Sequence, residues 1–257
     1  MSWEGGDRER GWTRREWVRF GMAVGTIGTI GSLGALSGRQ LIPPPIEFTG
    51  EIRETLYYTR FPTAQWWNDK AGQPMKLRDF ELWRGATGVW RGLFQNDQYV
   101  PGTGFPVLVI RVARDLDNLS APADVELPEG FDLWYDEEPA PENDDEGVRL
   151  LVVFDRCVHL CCYPGWHVIA VSDFSYVSAT PTKEVHDEDP IYCICHGSQY
   201  EPMHLVKDVN PKNGAVYVGT KYVHGPATRG LPVVPVKVEG GNIVGGMPDP
   251  RWYAYCG

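Results

Sequence analysis

Two short stretches of the 257-residue chain concentrate residues able to hold a metal: Cys157-Val-His159-Leu-Cys161-Cys162 and Cys193-Ile-Cys195-His196-Gly197-Ser198. Each sets a thiol two or three residues from an imidazole, so both side chains can reach one centre. A thiolate is a soft anionic ligand and a neutral imidazole a borderline one. Two of each can close a tetrahedral zinc site, and a zinc ribbon is the simplest reading of these four residues alone.

The order Cys-x-His-Leu-x-Cys followed by Cys-x-Cys-His-Gly-Ser resembles the two cluster loops of Rieske iron–sulfur proteins. It is most similar to the Rieske subunit of cytochrome bc-type quinol-oxidising complexes. In that family one iron of a [2Fe–2S] cluster takes two thiolates and the other takes two histidines. Carried over by position, the resemblance implies one cluster per chain, with Cys157 and Cys193 on one iron and His159 and His196 on the other. It also implies a disulfide between Cys162 and Cys195. Zinc accounts for four residues and the Rieske pattern for six. Ser198 and Tyr200 stand where high-potential relatives place hydroxyl donors to cluster sulfurs, and such bonds stabilise the reduced form. Without the resemblance they read as a turn residue and a packing residue. Gly225-Pro226-Ala227, with Arg229-Gly-Leu-Pro232, resembles the proline-bearing loop that covers the cluster.

Three features depart from the family pattern. Cys161 occupies a position that is usually glycine, where it could compete with Cys162 for Cys195. The stretch between the loops, Tyr163–Tyr192, is longer than in mitochondrial-type relatives. Cys256 has no assigned role, and nothing in the sequence brings it to Cys161. His167, His186, His204 and His224 read as structural or surface residues. Trp66, Trp67, Trp83, Trp90 and Tyr99 read as packing.

The function implied by the resemblance is electron transfer, with the chain as a subunit rather than a complete enzyme. Quinol held in a partner cytochrome b subunit hydrogen-bonds a cluster histidine, His196 by its place in the second loop. The imidazole takes the proton while the cluster takes the electron. An extracytoplasmic cytochrome c or small blue copper protein then accepts the electron. The alternative from the same family is the Rieske small subunit of a molybdenum oxidoreductase such as arsenite oxidase. A ferredoxin-like donor to an oxygenase fits less well with Cys162, Cys195 and the leader described next.

Thr13-Arg14-Arg15-Glu16-Trp17-Val18-Arg19 resembles a twin-arginine export signal. The following stretch, 18–36, is mostly apolar or small, and nineteen residues of helix span about 28 Å, close to a bilayer core. Arginines ahead of it place the N-terminus in the cytoplasm and the body outside. Ala35-Leu36-Ser37 offers the other outcome, a cleaved signal peptide. Gly21, Gly25, Gly28, Gly31 and Gly34 would allow close approach of a second helix, or simply mark a mildly hydrophobic leader. Residues 37–45 form a proline-rich linker.

The body reads as all-β, with the Rieske fold implied by the resemblance: an antiparallel base domain over 46–149, an inserted cluster-binding subdomain over 150–230, and closing base-domain strands over 231–257. The leader (1–17) and one transmembrane helix precede it. Strands are predicted at Val107–Val112, Arg149–Phe154, His167–Val171, Ala215–Val218 and Val233–Val238, with a hairpin across Gly240-Gly241-Asn242 and an acidic loop over Asp136–Glu146. Six arginines against four acidic residues give residues 1–39 a net charge of +2, which leaves −12 for the rest. An acidic body repels phosphates, so nucleic acid is not an expected partner.

Overall fold

The computed structural model describes residues 50–62, 64–112, 120–137, 148–166 and 191–256. The twin-arginine motif, the expected transmembrane span, the linker and the predicted strand His167–Val171 lie outside the described residues, as does most of the stretch 163–192. Among the described residues no helix is long and apolar enough to cross a membrane.

The protein is all-β with antiparallel sheets. In chain order the strands are β1 (Glu51–Arg53), β2 (Tyr57–Tyr58), β3 (Gly85–Trp90), β4 (Gly92–Gln95), β5 (Gln98–Tyr99), β6 (Phe105–Val112) and β7 (Trp134–Glu137). They continue with β8 (Val148–Phe154), β9 (Ile191–Cys193), β10 (Ser198–Val209), β11 (Val216–His224), β12 (Val236–Glu239) and β13 (Asn242–Gly245). A five-stranded sheet runs β2-β3-β6-β8-β7, and a three-stranded sheet runs β11-β10-β9. Two smaller sheets, β1-β4-β5 and β12-β13, complete the set.

The centre of the large sheet is built from two continuous apolar runs, Val107–Ile110 and Leu150–Phe154, paired from Val107↔Phe154 to Ile110↔Leu151. Both runs are buried along their whole length because both faces of the sheet are covered. In β3, Gly88 leaves room for a neighbour: a Cβ there would lie 2.4 Å from the Met75 methyl and 2.6 Å from the Tyr57 carbonyl.

The two larger sheets are joined by a segment that belongs to neither. Val234 N donates to Val152 O (2.8 Å) and Phe154 N to Pro232 O (2.8 Å), while Val233 N donates to Val218 O (2.9 Å). Residues 231–234 thus lie between β8 and β11. This corrects the predicted strand Val233–Val238: regular pairing begins at Val236, because Pro232 and Pro235 have no N–H to continue a ladder. The hairpin at its end is as expected, with Gly240 (φ +58°) and Gly241 (φ +82°) forming the two-residue turn that right-handed strand twist favours.

Other boundaries also move. Asp136 and Glu137, expected in the acidic loop, end β7, where Asp136 receives both Nε and Nη2 of Arg149 at 2.6 Å. The strand expected at Ala215–Val218 starts at Val216 and runs to His224, since the Asn213 carboxamide holds the Ala215 amide in the preceding turn. Between Glu201 and Leu205 the register of β10 against β11 jumps, looping out Pro202, Met203 and His204. Pro202 cannot donate to the ladder, and Ser120 bonds the freed backbone through Met203 O and Leu205 N. Trp67 and Trp90 are fully buried core, as expected.

Candidate metal centre

The first loop leaves the end of β8. Cys161 N donates to Cys157 O (2.8 Å) and Cys157 N to Cys162 O (2.8 Å), so the chain closes on itself and carries His159 at its apex. This closure requires a left-handed residue, and Cys161 supplies it at φ +60°. The second loop is a tight turn between β9 and β10. Ser198 pairs with Cys193 in the ladder, and Gly197, at φ +76°, donates its amide to Cys193 O (2.9 Å).

The Cys162–Cys195 disulfide joins the loops, with Cα atoms 6.5 Å apart. The sulfurs of Cys162, Cys193 and Cys195 lie within 4.8 Å of one another. Two of them are joined and cannot act as thiolates. The free thiols among the described residues are Cys157 and Cys193, both buried. The two sulfurs interact electrostatically, with the His159 amide facing the Cys157 sulfur and the His196 amide the Cys193 sulfur. The His159 and His196 rings meet edge to face, 4.8 Å between centroids. The fold thus pairs the two proposed thiol ligands with each other and the two proposed histidine ligands with each other.

The electrostatics follow from that pairing. The Cys157 thiol is lowered, first by the hydrogen bond from Cys193, with burial opposing and Tyr200, the His159 amide and Ser198 assisting. Cys193 is raised, first by its bond to Cys157 and then by burial, although the amides of Cys195 and His196 face its sulfur. One proton leaves the pair easily and the second is held. Tyr200 Oη lies 3.0 Å from Cys157 Sγ. Burial, and then the Cys157 charge, push the Tyr200 hydroxyl well above its ordinary range, so Tyr200 is the donor in this bond. Ser198 Oγ accepts the Ala227 amide at 3.1 Å, which leaves its own hydrogen free for sulfur.

The proline-bearing segment covers this side. Gly225 (φ +97°) is required by close approach as well as by conformation: a Cβ would lie 2.5 Å from Ser198 Cα and 2.6 Å from Gly197 O. Tyr222 Oη donates to Gly225 O and fixes the bend.

His159 Nδ1 tests whether a metal group fits. It is buried and has no hydrogen-bond partner, a costly state for an imidazole nitrogen that a metal bond would relieve. Together with two buried thiols, this donor set fits either a [2Fe–2S] cluster or a single soft metal ion. His196 is exposed and His159 half-buried. His204 lies beside Ser120 and His224 is exposed; neither joins the centre. His167 and His186 lie outside the described residues.

Cys256 is the residue that sequence reasoning weighed too lightly, as a possible but unfavoured partner of Cys161. It forms a disulfide with Cys161 across 95 residues, with Cα atoms 5.6 Å apart, so Cys161 does not compete for Cys195. Cysteine arithmetic held a signal: six cysteines, less two ligands and one bridge, leave a pair. No family model matches the chain, and no curated protein matches it.

Proposed function

We propose that the chain is a Rieske-type electron-transfer subunit of a cytochrome bc-type complex, anchored in the membrane by its N-terminal segment and exposing its body outside the cytoplasm. The observation that supports this reading best is the convergence of two buried free thiols and two facing imidazoles, one with an orphaned buried nitrogen, between loops clamped by a disulfide. Cys157 and Cys193 would hold one iron of the cluster, and His159 and His196 the other. When bound, the cluster supplies reversible one-electron chemistry at a potential raised by its two neutral ligands, about −150 to +300 mV.

The rest is the work of the chain's own groups. Tyr200 and Ser198 offer hydroxyl hydrogens to the Cys157 sulfur and favour the more electron-rich state. His196 is exposed, which supports the role of taking a quinol proton on a ring nitrogen. Leu160 (63% exposed) and Ile194 (48% exposed) stand at the apex of each loop, an apolar rim suited to seating in a quinol-binding subunit. A cytochrome c or small blue copper protein would accept the electron.

Purification from membranes tests the reading. The expected result is co-purification with a b-type cytochrome, and a reduced-state paramagnetic signal of low average g with nitrogen hyperfine coupling. Proton uptake at a ligand imidazole also requires the midpoint potential to fall with rising pH, approaching about 59 mV per unit. One zinc and no iron would sink the proposal. A molybdopterin partner would move the chain to the small-subunit alternative, and a flat potential would remove the quinol proton from the mechanism.

Tyr200→Phe and Ser198→Ala are expected to lower the midpoint potential while leaving the cluster assembled. A neutral hydrogen bond worth about 1 kcal/mol corresponds to about 40 mV for one electron. Unchanged potentials in both variants would leave these hydroxyls with a role in folding alone.

A further inference from the structure

The first loop is held from two directions. Cys162 ties it to the second loop through Cys195, which is itself exposed. Cys161, on its other side, ties it to Cys256 in the C-terminal segment. That segment is anchored in the body of the protein. Asp249 caps the 3₁₀ turn Pro250–Tyr253 by accepting the Arg251 amide at 2.9 Å. Asn210 and Asn213, beside the β10–β11 turn, both donate to Arg251 O, at 2.7 and 2.9 Å. Tyr253 Oη donates to Val233 O at 2.9 Å, and the Tyr253 and Tyr255 rings both pack edge-on against Phe154 at the end of β8.

From this base the segment grips the loop twice. Cys256 holds the Cys161 sulfur, and the buried Tyr255 donates its hydroxyl to Arg156 O at 2.6 Å. Arg156 Nη1 in turn donates to Cys161 O at 2.9 Å. The residues on either side of Cys157 and His159 are thereby pinned to the C-terminal segment, separately from the bridge to the second loop. Cysteine at a φ of +60°, where glycine would be free of strain, is accounted for by the need for its sulfur.

We propose that residues 249–256 form a second clamp on the first loop, independent of the bridge between the loops, with Cys161, Cys256 and Tyr255 as positioning residues for His159. The proposal rests on the Rieske reading and adds to it how the histidine-bearing loop is fixed. Either clamp alone keeps the metal group in place, and loss of both releases it.

Three variants of the full chain test this: Cys161→Gly/Cys256→Ala, Cys162→Ser/Cys195→Ser, and the two combined. Glycine at 161 keeps the left-handed turn, so its pair removes the tether without adding strain. Cys161→Ala/Cys256→Ala adds the strain back for comparison. Readouts are iron per chain, cluster half-life under chelator, midpoint potential and the shape of the paramagnetic signal. Each single-clamp variant is expected to keep its iron with a half-life shortened about tenfold, in proportion to the tenfold or greater loss of metal affinity that losing outer contacts commonly produces. Removing the C-terminal clamp is expected to shift the potential and broaden the signal, as His159 samples more positions. The combined variant is expected to retain no iron. A wild-type chain without a cluster would overturn the Rieske reading and the clamp with it. A wild-type cluster whose half-life, potential and line shape are unchanged in Cys161→Gly/Cys256→Ala would overturn the clamp alone.

Discussion

Cys157→Ser and Cys193→Ser are each expected to yield folded protein that holds no iron, the largest change any single substitution should produce. These two side chains are the free thiols of the described residues, and both are sealed from solvent. A serine hydroxyl does not ionise in the range where a thiol does, so it cannot replace a soft anionic ligand. The surroundings prepare Cys157 for loss of its proton, while Cys193 keeps its own until metal displaces it. Cys157 is lowered by the bond from Cys193 and by Tyr200, and the amides of Cys195 and His196 face Cys193. Metal uptake must displace the proton the pair holds tightly, so loading should strengthen as pH rises. Iron and acid-labile sulfide per chain, with paramagnetic spectra of the reduced protein, measure the outcome. Cys256→Ser is the control, expected to keep its iron. Full iron content in both ligand variants would show that the centre lies elsewhere.

Reduction of both disulfides is expected to remove most of the thermal stability of the body. The Cys162–Cys195 bridge closes a separation of 33 residues and the Cys161–Cys256 bridge one of 95. Chain-entropy reasoning assigns them about 4 and about 5 kcal/mol at 25 °C. A domain of this size is stable by about 5–15 kcal/mol, so the two together approach the whole. Each bridge alone should carry about 10 °C or more of the melting temperature, at about 2–4 °C per kcal/mol. Peptide mapping without reductant should recover both pairs, and circular dichroism melts with and without a phosphine reductant measure the loss. Equal melting temperatures in the two conditions would mean that neither bridge constrains the unfolded chain as this reasoning requires. On the proposed export, the body meets oxidising conditions, and both bridges should form there spontaneously.

Much of the local structure is written in the residue pattern. Val107–Ile110 and Leu150–Phe154 are unbroken apolar runs of the kind a doubly covered strand satisfies, and they form the centre of the large sheet. Gly240-Gly241 allows positive φ at both positions, so the terminal hairpin follows from local chemistry. The spacing within each loop likewise declares its donors, since ligands two or three residues apart need no long-range contact to be recognised. What tertiary structure decided are the relations between distant segments. The placement of residues 231–234 between β8 and β11 depends on backbone bonds to Val152, Phe154 and Val218, for which Leu231 to Val234 carry no periodic signal. The bulge at Pro202 could be suspected from proline alone, but its partner Ser120 could not. The Tyr200 hydroxyl, on β10, reaches Cys157 in the loop after β8 only through the folding of distant segments onto each other. Cys161 shows the division most clearly. Its type suggests a bridge, while its partner 95 residues away and its left-handed backbone are set by the folded chain. A sequence displays the contacts that chain connectivity makes nearly free of entropic cost, whereas those that must close long loops appear only when the whole core pays for them.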